Sequence, residues 1–143
     1  MNIGSLIESR ASSDIISVNV DQPVREAVKL LASKRIGAVP VMAGGRVAGI
    51  FSERDVIYRL ADEGAACLER PLGEVMTSPA ITVDRATLVD QALALMTKRR
   101  IRHLPVIDGE AMCGFISIGD LVKSRMDEVQ LEANAMRDYI AHA

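Results

Sequence analysis

The sequence predicts an α/β (α+β) fold: two pseudo-symmetric β-α-β-β-α repeats packed through their small sheets, followed by a C-terminal helix. Three observations carry this. A seven-residue stretch occurs twice, as Gly49-Ile50-Phe51-Ser52-Glu53-Arg54-Asp55 and, 65 residues later, as Gly114-Phe115-Ile116-Ser117-Ile118-Gly119-Asp120. Residues 16–57 and 81–122 align without a gap, with about 13 identities in 42 positions, and an ungapped offset of that length marks an internal duplication. Within each copy, short β-branched stretches alternate with apolar residues recurring at helical spacing. A β-α-β-β-α unit alone cannot cover both faces of so short a sheet, so two copies are expected to pack on each other.

The elements follow in order. Ile3 to Glu8 suits a short helical turn anchored by Leu6 and Ile7, and Arg10-Ala11-Ser12-Ser13-Asp14 reads as a loop. Ile15 to Val20 alternates as a strand should. Asp21 can cap the next helix and Pro23 is tolerated in its first turn. Val24, Ala27, Val28, Leu31 and Ala32 place that helix up to about Arg35, with Gly37 expected to end it. Ala38 to Met42 and Val47 to Phe51 form a hairpin around Ala43-Gly44-Gly45-Arg46. Ser52 opens a helix reaching about Glu63, Gly64 to Pro71 connects, and Leu72 to Met76 suits one more helical turn before Ser78-Pro79. The pattern then restarts at Ile81-Thr82-Val83. The expected organisation is an N-terminal segment 1–14, a first repeat 15–63, a linker 64–79, a second repeat 80–124 and a helical tail 125–143.

Composition narrows the function. The chain has 143 residues, 49% of them hydrophobic and 25% charged, which is ordinary for a globular chain large enough to fold without disulfides or metal. The net charge of −2 gives no bulk attraction to nucleic acid or anionic membrane. Cys67 and Cys113 match no metal or redox spacing, so free buried thiols are expected. No stretch reaches membrane-spanning length and no basic leader is evident, so a cytoplasmic location is expected. The histidines, His103 and His142, have no cysteine or serine motif beside them, and no Walker-type loop or Gly-x-Ser-x-Gly occurs. The expectation is a non-enzyme with no catalytic residue, metal ligand or catalytic cofactor.

With its duplicated order, its Pro40-Val41 and Pro105-Val106 strands, its Glu74-Val75-Met76-Thr77 linker and its two Gly-h-h-Ser-x-x-Asp turns, where h is apolar, the chain resembles a tandem pair of cystathionine-β-synthase-type (CBS) domains, a Bateman module. The resemblance runs from about Ile15 to Lys123, and the second half is similar to stand-alone bacterial signal-transduction proteins of this kind. It implies a regulatory module that binds adenine ligands such as AMP, ADP, ATP, NAD(H) or S-adenosylmethionine, often pairs as a homodimer, and signals to a protein effector.

That resemblance assigns site residues. Asp55 and Asp120 would accept hydrogen bonds from ribose hydroxyls, an acceptor-only task that suits a carboxylate. Ser52 and Ser117 would offer a hydroxyl to phosphate. Both Ser-x-x-Asp turns are equally capping boxes, and the two roles can coexist. Arg54 is answered by Gly119 in the second half, while Arg102 and His103 are answered by Gly37 and Ala38 in the first, so the two clefts are expected to differ. Arg102 and His103 would face phosphate, with a helix C-terminus as their alternative setting. The run Lys98-Arg99-Arg100 reads as a solvated helix end. Ser17, Val18, Ile36, Thr82, Val83 and Ile101 are either adenine walls or ordinary core. With no Trp, two Phe and two Tyr, an aliphatic slot is expected rather than a stacking platform, which also weakens a single-stranded RNA reading.

Past Asp120, Val122, Met126, Val129, Ala133, Met136 and Ile140 recur as a heptad seam, expected either to dimerise or to fold back on its own module. A ligand-free interaction scaffold working through this tail is the alternative function. RNA binding through Arg99–His103 is a weaker third.

Overall fold

The computed structural model describes residues 1–8 and 15–142, so the loop expected at 10–14 lies outside the described residues. Two three-stranded sheets form, one per repeat, with matching registers. In the first, β1 (Val18–Asn19) runs parallel to β2 (Ala38–Ala43), which pairs antiparallel with β3 (Arg46–Ser52). In the second, β4 (Val83–Asp84), β5 (His103–Asp108) and β6 (Ala111–Ser117) repeat the arrangement. Each hairpin carries a register shift at the same place, between Val41 and Met42 and between Val106 and Ile107. The first hairpin turns on Gly44 and Gly45, both at positive φ, which only glycine adopts freely. Strands β3 and β6 touch, and Arg46 meets Glu110 at 2.5 Å between the two hairpins.

Helices α1 (Ile3–Glu8), α2 (Val24–Lys34), α3 (Glu53–Glu63), α4 (Leu72–Val75), α5 (Val89–Arg99) and α6 (Ile118–Ala141) complete the fold, with a 3-10 turn at Gly64–Glu69 inside the expected connector. Each sheet is lined by β-branched and aliphatic residues of its own repeat. Val24, Ala27 and Leu31 of α2 bury against Val39, Val41 and Phe51, and Val89, Ala92 and Met96 of α5 against Leu104, Val106 and Ile116.

The short helices change partners. Helix α1 places Ile3 and Leu6 in the core of the second repeat, and Ile3 and Gly4 N–H groups donate to Thr87 and Arg85 carbonyls. Helix α4 does the same for the first repeat: Leu72 and Val75 enter its core, with Leu72 and Gly73 donating to Gln22 and Val20. Ile3-Gly4-Ser5-Leu6-Ile7 and Leu72-Gly73-Glu74-Val75-Met76 are thus one element used twice. Close approach favours glycine at both places, a Cβ at Gly4 lying 3.1 Å from the Arg85 carbonyl and one at Gly73 3.2 Å from the Val20 Cβ.

Four local expectations are corrected. The first strand is only Val18–Asn19, because Ile15 to Ser17 find no ladder partner. Helix α2 ends through Arg35, not Gly37: Arg35 sits at φ 53, and Ile36 N–H reaches back to the Leu31 carbonyl at 3.1 Å, a Schellman closure. Arg100 ends α5 in the same way at φ 55. Asp21 does not cap α2, whose N-cap position is Pro23 without a side-chain bond. Cys113 is only half-buried, whereas Cys67 is buried, and both are free.

Candidate functional site

Strand β3 ends at Ser52 and α3 begins at Glu53, and this junction sets the site. Ser52 N–H donates to Asp55 Oδ2 at 2.9 Å, its hydroxyl reaches the same oxygen at 3.2 Å, and Asp55 N–H donates back to Ser52 Oγ at 3.4 Å. The capping box is therefore real, and a helix start leaves neighbouring N–H groups available to an anion. Thr77, carried in by the stretch after α4, donates its hydroxyl to the other Asp55 oxygen at 3.1 Å. Main-chain bonds between Ile50 and Thr77, at 3.0 and 2.9 Å, hold that stretch in place. A carboxylate accepts about four hydrogen bonds, so the fixed Asp55 retains accepting capacity. The second junction repeats the box: Ser117 N–H donates to Asp120 Oδ2 at 2.8 Å, and Asp120 N–H to Ser117 Oγ at 3.2 Å.

A cavity of about 610 Å³ opens beside Asp55, between the repeats. Of the expected residues, it is lined by Gly37, Ala38, Ser52, Arg54, Asp55, Ile101, Arg102, His103 and Ser117. Ser17, Val18, Ile36, Thr82, Val83, Gly119 and Asp120 are not in its lining. Val18 and Val83 are buried in the two cores, and Ile36 packs against the first.

The lining also holds residues that sequence reasoning missed. Thr77 and Pro79 enter from the linker, Ala80 and Ile81 from the start of the second repeat, Glu53 and Tyr58 from α3, and Arg99 and Arg100, which read as a solvated helix end, from α5 and its cap. The signal for Tyr58 was its position one turn beyond Asp55 on the same helix face. Tyr58 also makes the slot less purely aliphatic than composition implied.

The electrostatics are uneven. Arg54, Arg99, Arg100 and Arg102 line the cavity against Glu53 and Asp55. Arg54 crosses between the repeats to the Arg100 carbonyl at 3.5 Å. His103 stacks on Phe115 with centroids 5.5 Å apart and planes 13° from parallel. Burial, and then the neighbouring Arg102 charge, push its pKa below the usual histidine value, with Asp120 and Glu53 opposing. At neutral pH His103 is thus a neutral hydrogen-bonding group rather than a cation. No group of three His, Cys, Asp or Glu gathers as metal ligands among the described residues. No helix among them is long and apolar enough to cross a membrane.

Paired α/β repeats with a cleft at their seam define a class of duplicated two-repeat modules. Models of the CBS domain match residues 4–62 and 72–127, most of the chain, and the protein belongs to the CBS-domain family. It is 37% identical over 125 residues to the mitochondrial CBS domain-containing protein CBSX3 of Arabidopsis thaliana, covering 84% of this chain and 61% of that protein, so it spans less than two thirds of that relative. The crystal structure of the CBS-domain protein ATU1752 from Agrobacterium tumefaciens superposes with a TM-score of 0.81 at 36% identity, covering 87% of this chain and 99% of that one. CBSX2 in complex with AMP (TM-score 0.74, 21% identity, 88% and 96% covered) shares the fold. So does the CBS pair of MJ0100 with 5′-methylthioadenosine and S-adenosylmethionine (0.76, 22%, 90% and 98%).

Proposed function

We propose that the protein is a non-catalytic regulatory module that binds an adenine nucleotide (AMP, ADP, ATP or NAD(H)) in the cleft between its repeats and passes the occupancy to a separate protein. The observation that carries this is Asp55, anchored by Ser52 and Thr77 beside an open cavity rimmed with arginine. The carboxylate suits the two ribose hydroxyls, the α3 N-terminus and the arginines suit phosphate, and Ile101, Ile81 and Pro79 offer an apolar slot for the base. The AMP and methylthioadenosine complexes of CBSX2 and MJ0100 support the same class of ligand. Asp120 and Gly119 belong to the proposal as a second, pseudo-symmetric position, and Ser17, Val18, Ile36, Thr82 and Val83 as backbone and apolar walls beside the two positions.

Melting temperature in the presence of millimolar AMP, ATP or NADH tests the reading. A ligand at about a hundred times its dissociation constant adds about 2.7 kcal/mol to stability, and no shift with any of the three would sink it.

The second reading, a scaffold working through the tail, rests on one observation. Beyond Glu128, α6 leaves the body of the protein, so that Val129, Met136 and Ile140 are exposed, as are Val122 and Met126 on the same seam. We assign this seam to a homodimer. Removing residues 131–143 should leave the melting temperature of the body within a few degrees while the sedimentation coefficient falls to that of a monomer. An unchanged sedimentation coefficient refutes the dimer and leaves the cleft untouched.

A further inference from the structure

Six arginines away from the cavity are neutralised locally. Arg25, Arg46, Arg59, Arg70, Arg85 and Arg125 each meet a glutamate. The four at the cavity differ: among the described residues, Arg54, Arg99, Arg100 and Arg102 have no acid within ion-pair distance. Among the described lining residues only Glu53 and Asp55 oppose them, and both Asp55 oxygens already accept hydrogen bonds. The cavity therefore concentrates a positive excess on a chain whose net charge is −2. Arg54 reaches across from the first repeat to the backbone carbonyl of Arg100 in the second, so the two repeats meet at this basic rim. Arg100 also occupies a left-handed position where glycine would be easier. Guanidinium forks recognise phosphate oxygens bidentately, and one phosphate offers too few terminal oxygens to engage four of them in that way.

We infer that this cleft selects adenosine ligands carrying a pyrophosphate, ADP, ATP or a dinucleotide, over AMP, and rejects a cationic adenosine such as S-adenosylmethionine. The inference rests on the adenosine-binding reading and sharpens it. Ribose sits on Asp55 and Thr77, the α-phosphate on the start of α3 and Arg54, and the next phosphate on Arg100 and Arg102. Methylthioadenosine, uncharged, behaves as adenosine does.

Calorimetric titration of the full chain with adenosine, AMP, ADP, ATP, NADH and S-adenosylmethionine, in magnesium-free buffer at two salt concentrations, tests it. ADP and ATP should bind at least about tenfold tighter than AMP, with a steeper salt dependence, and S-adenosylmethionine more weakly than adenosine. Arg102→Ala and Arg100→Gly, the latter easing the backbone and so guarding against misfolding, should each weaken ADP about tenfold and leave adenosine within about twofold. AMP binding as tightly as ADP, or either variant weakening adenosine and ADP alike, overturns the selectivity while leaving the cleft an adenosine site. No binding by any of the compounds, adenosine included, removes the site itself.

Discussion

The two repeats share a backbone and differ in chemistry. Strand registers, register shifts, capping boxes and left-handed helix ends recur position for position. Yet the entry to β2 carries Gly37 and Ala38 where the entry to β5 carries Arg102 and His103, and α3 carries Arg54 where α6 carries Gly119. The duplication thus conserves what holds the sheets and caps the helices. It varies side chains at the seam, where of the residues named only Ala38 is buried in the core. Stability and recognition occupy separate positions, so they can be perturbed separately.

The largest expected difference tests how each repeat grips its short helix. A Cβ at Gly49 would lie 2.6 Å from the Thr77 carbonyl, which the main-chain bonds to Ile50 hold rigidly. At Gly114 it would lie 2.7 Å from the end of the Ile7 side chain, which can rotate away. Gly49→Ala should cost about 2–3 kcal/mol and Gly114→Ala about 1 kcal/mol, read from denaturant midpoints. Equal costs would mean the two seats are mechanically alike.

The capping aspartates come next. Asp55→Ala and Asp120→Ala should each lose about 1 kcal/mol of stability as a helix cap. Asp55→Ala should in addition weaken adenosine about tenfold or more, the loss of a charge-assisted contact, because Asp55 and not Asp120 lines the cavity. A matching affinity loss in Asp120→Ala would reveal two occupied clefts.

The left-handed arginines offer a smaller effect. Arg35→Gly and Arg100→Gly should both raise stability by about 0.5–1 kcal/mol, since glycine relieves the same backbone position in each repeat. Only the second should alter ligand affinity.

The smallest difference concerns pH. His103 has a lowered pKa, so above the unfolded value of 6.5 neither state is charged and its contribution is intact. As pH falls below 6.5 the unfolded chain takes up the proton first, and stability drops until the folded pKa is passed. His103→Gln should flatten the fall in stability as pH drops below 6.5, a response that Ala38 cannot produce in the first repeat. An unchanged slope would place the pH response elsewhere.

Much of this was legible in the residues. The ungapped offset and the helical and strand periodicities yielded both repeats, and Ser-x-x-Asp located both junctions. What escaped was set by position in space. Arg99 and Arg100 look like a solvated helix end until the other repeat is placed against them. Thr77 shows no sign of reaching Asp55 until β3 holds the linker. The match between Ile3-Gly4-Ser5-Leu6-Ile7 and Leu72-Gly73-Glu74-Val75-Met76 was present in the letters, but at an offset differing from that of the main repeat. Arg35 and Arg100 escaped because helix-ending signals are weighted to glycine, and a Schellman closure with arginine has none.

The exchange of short helices has a consequence in time. On the ribosome, a nascent chain made as far as residue 80 already holds every strand and helix of the first repeat, α4 included. The second must wait for α6 to emerge and then retrieve α1 from the opposite end of the polypeptide. Cutting the molecule midway would leave one part with a complete core and the other with a hole where Ile3 and Leu6 belong.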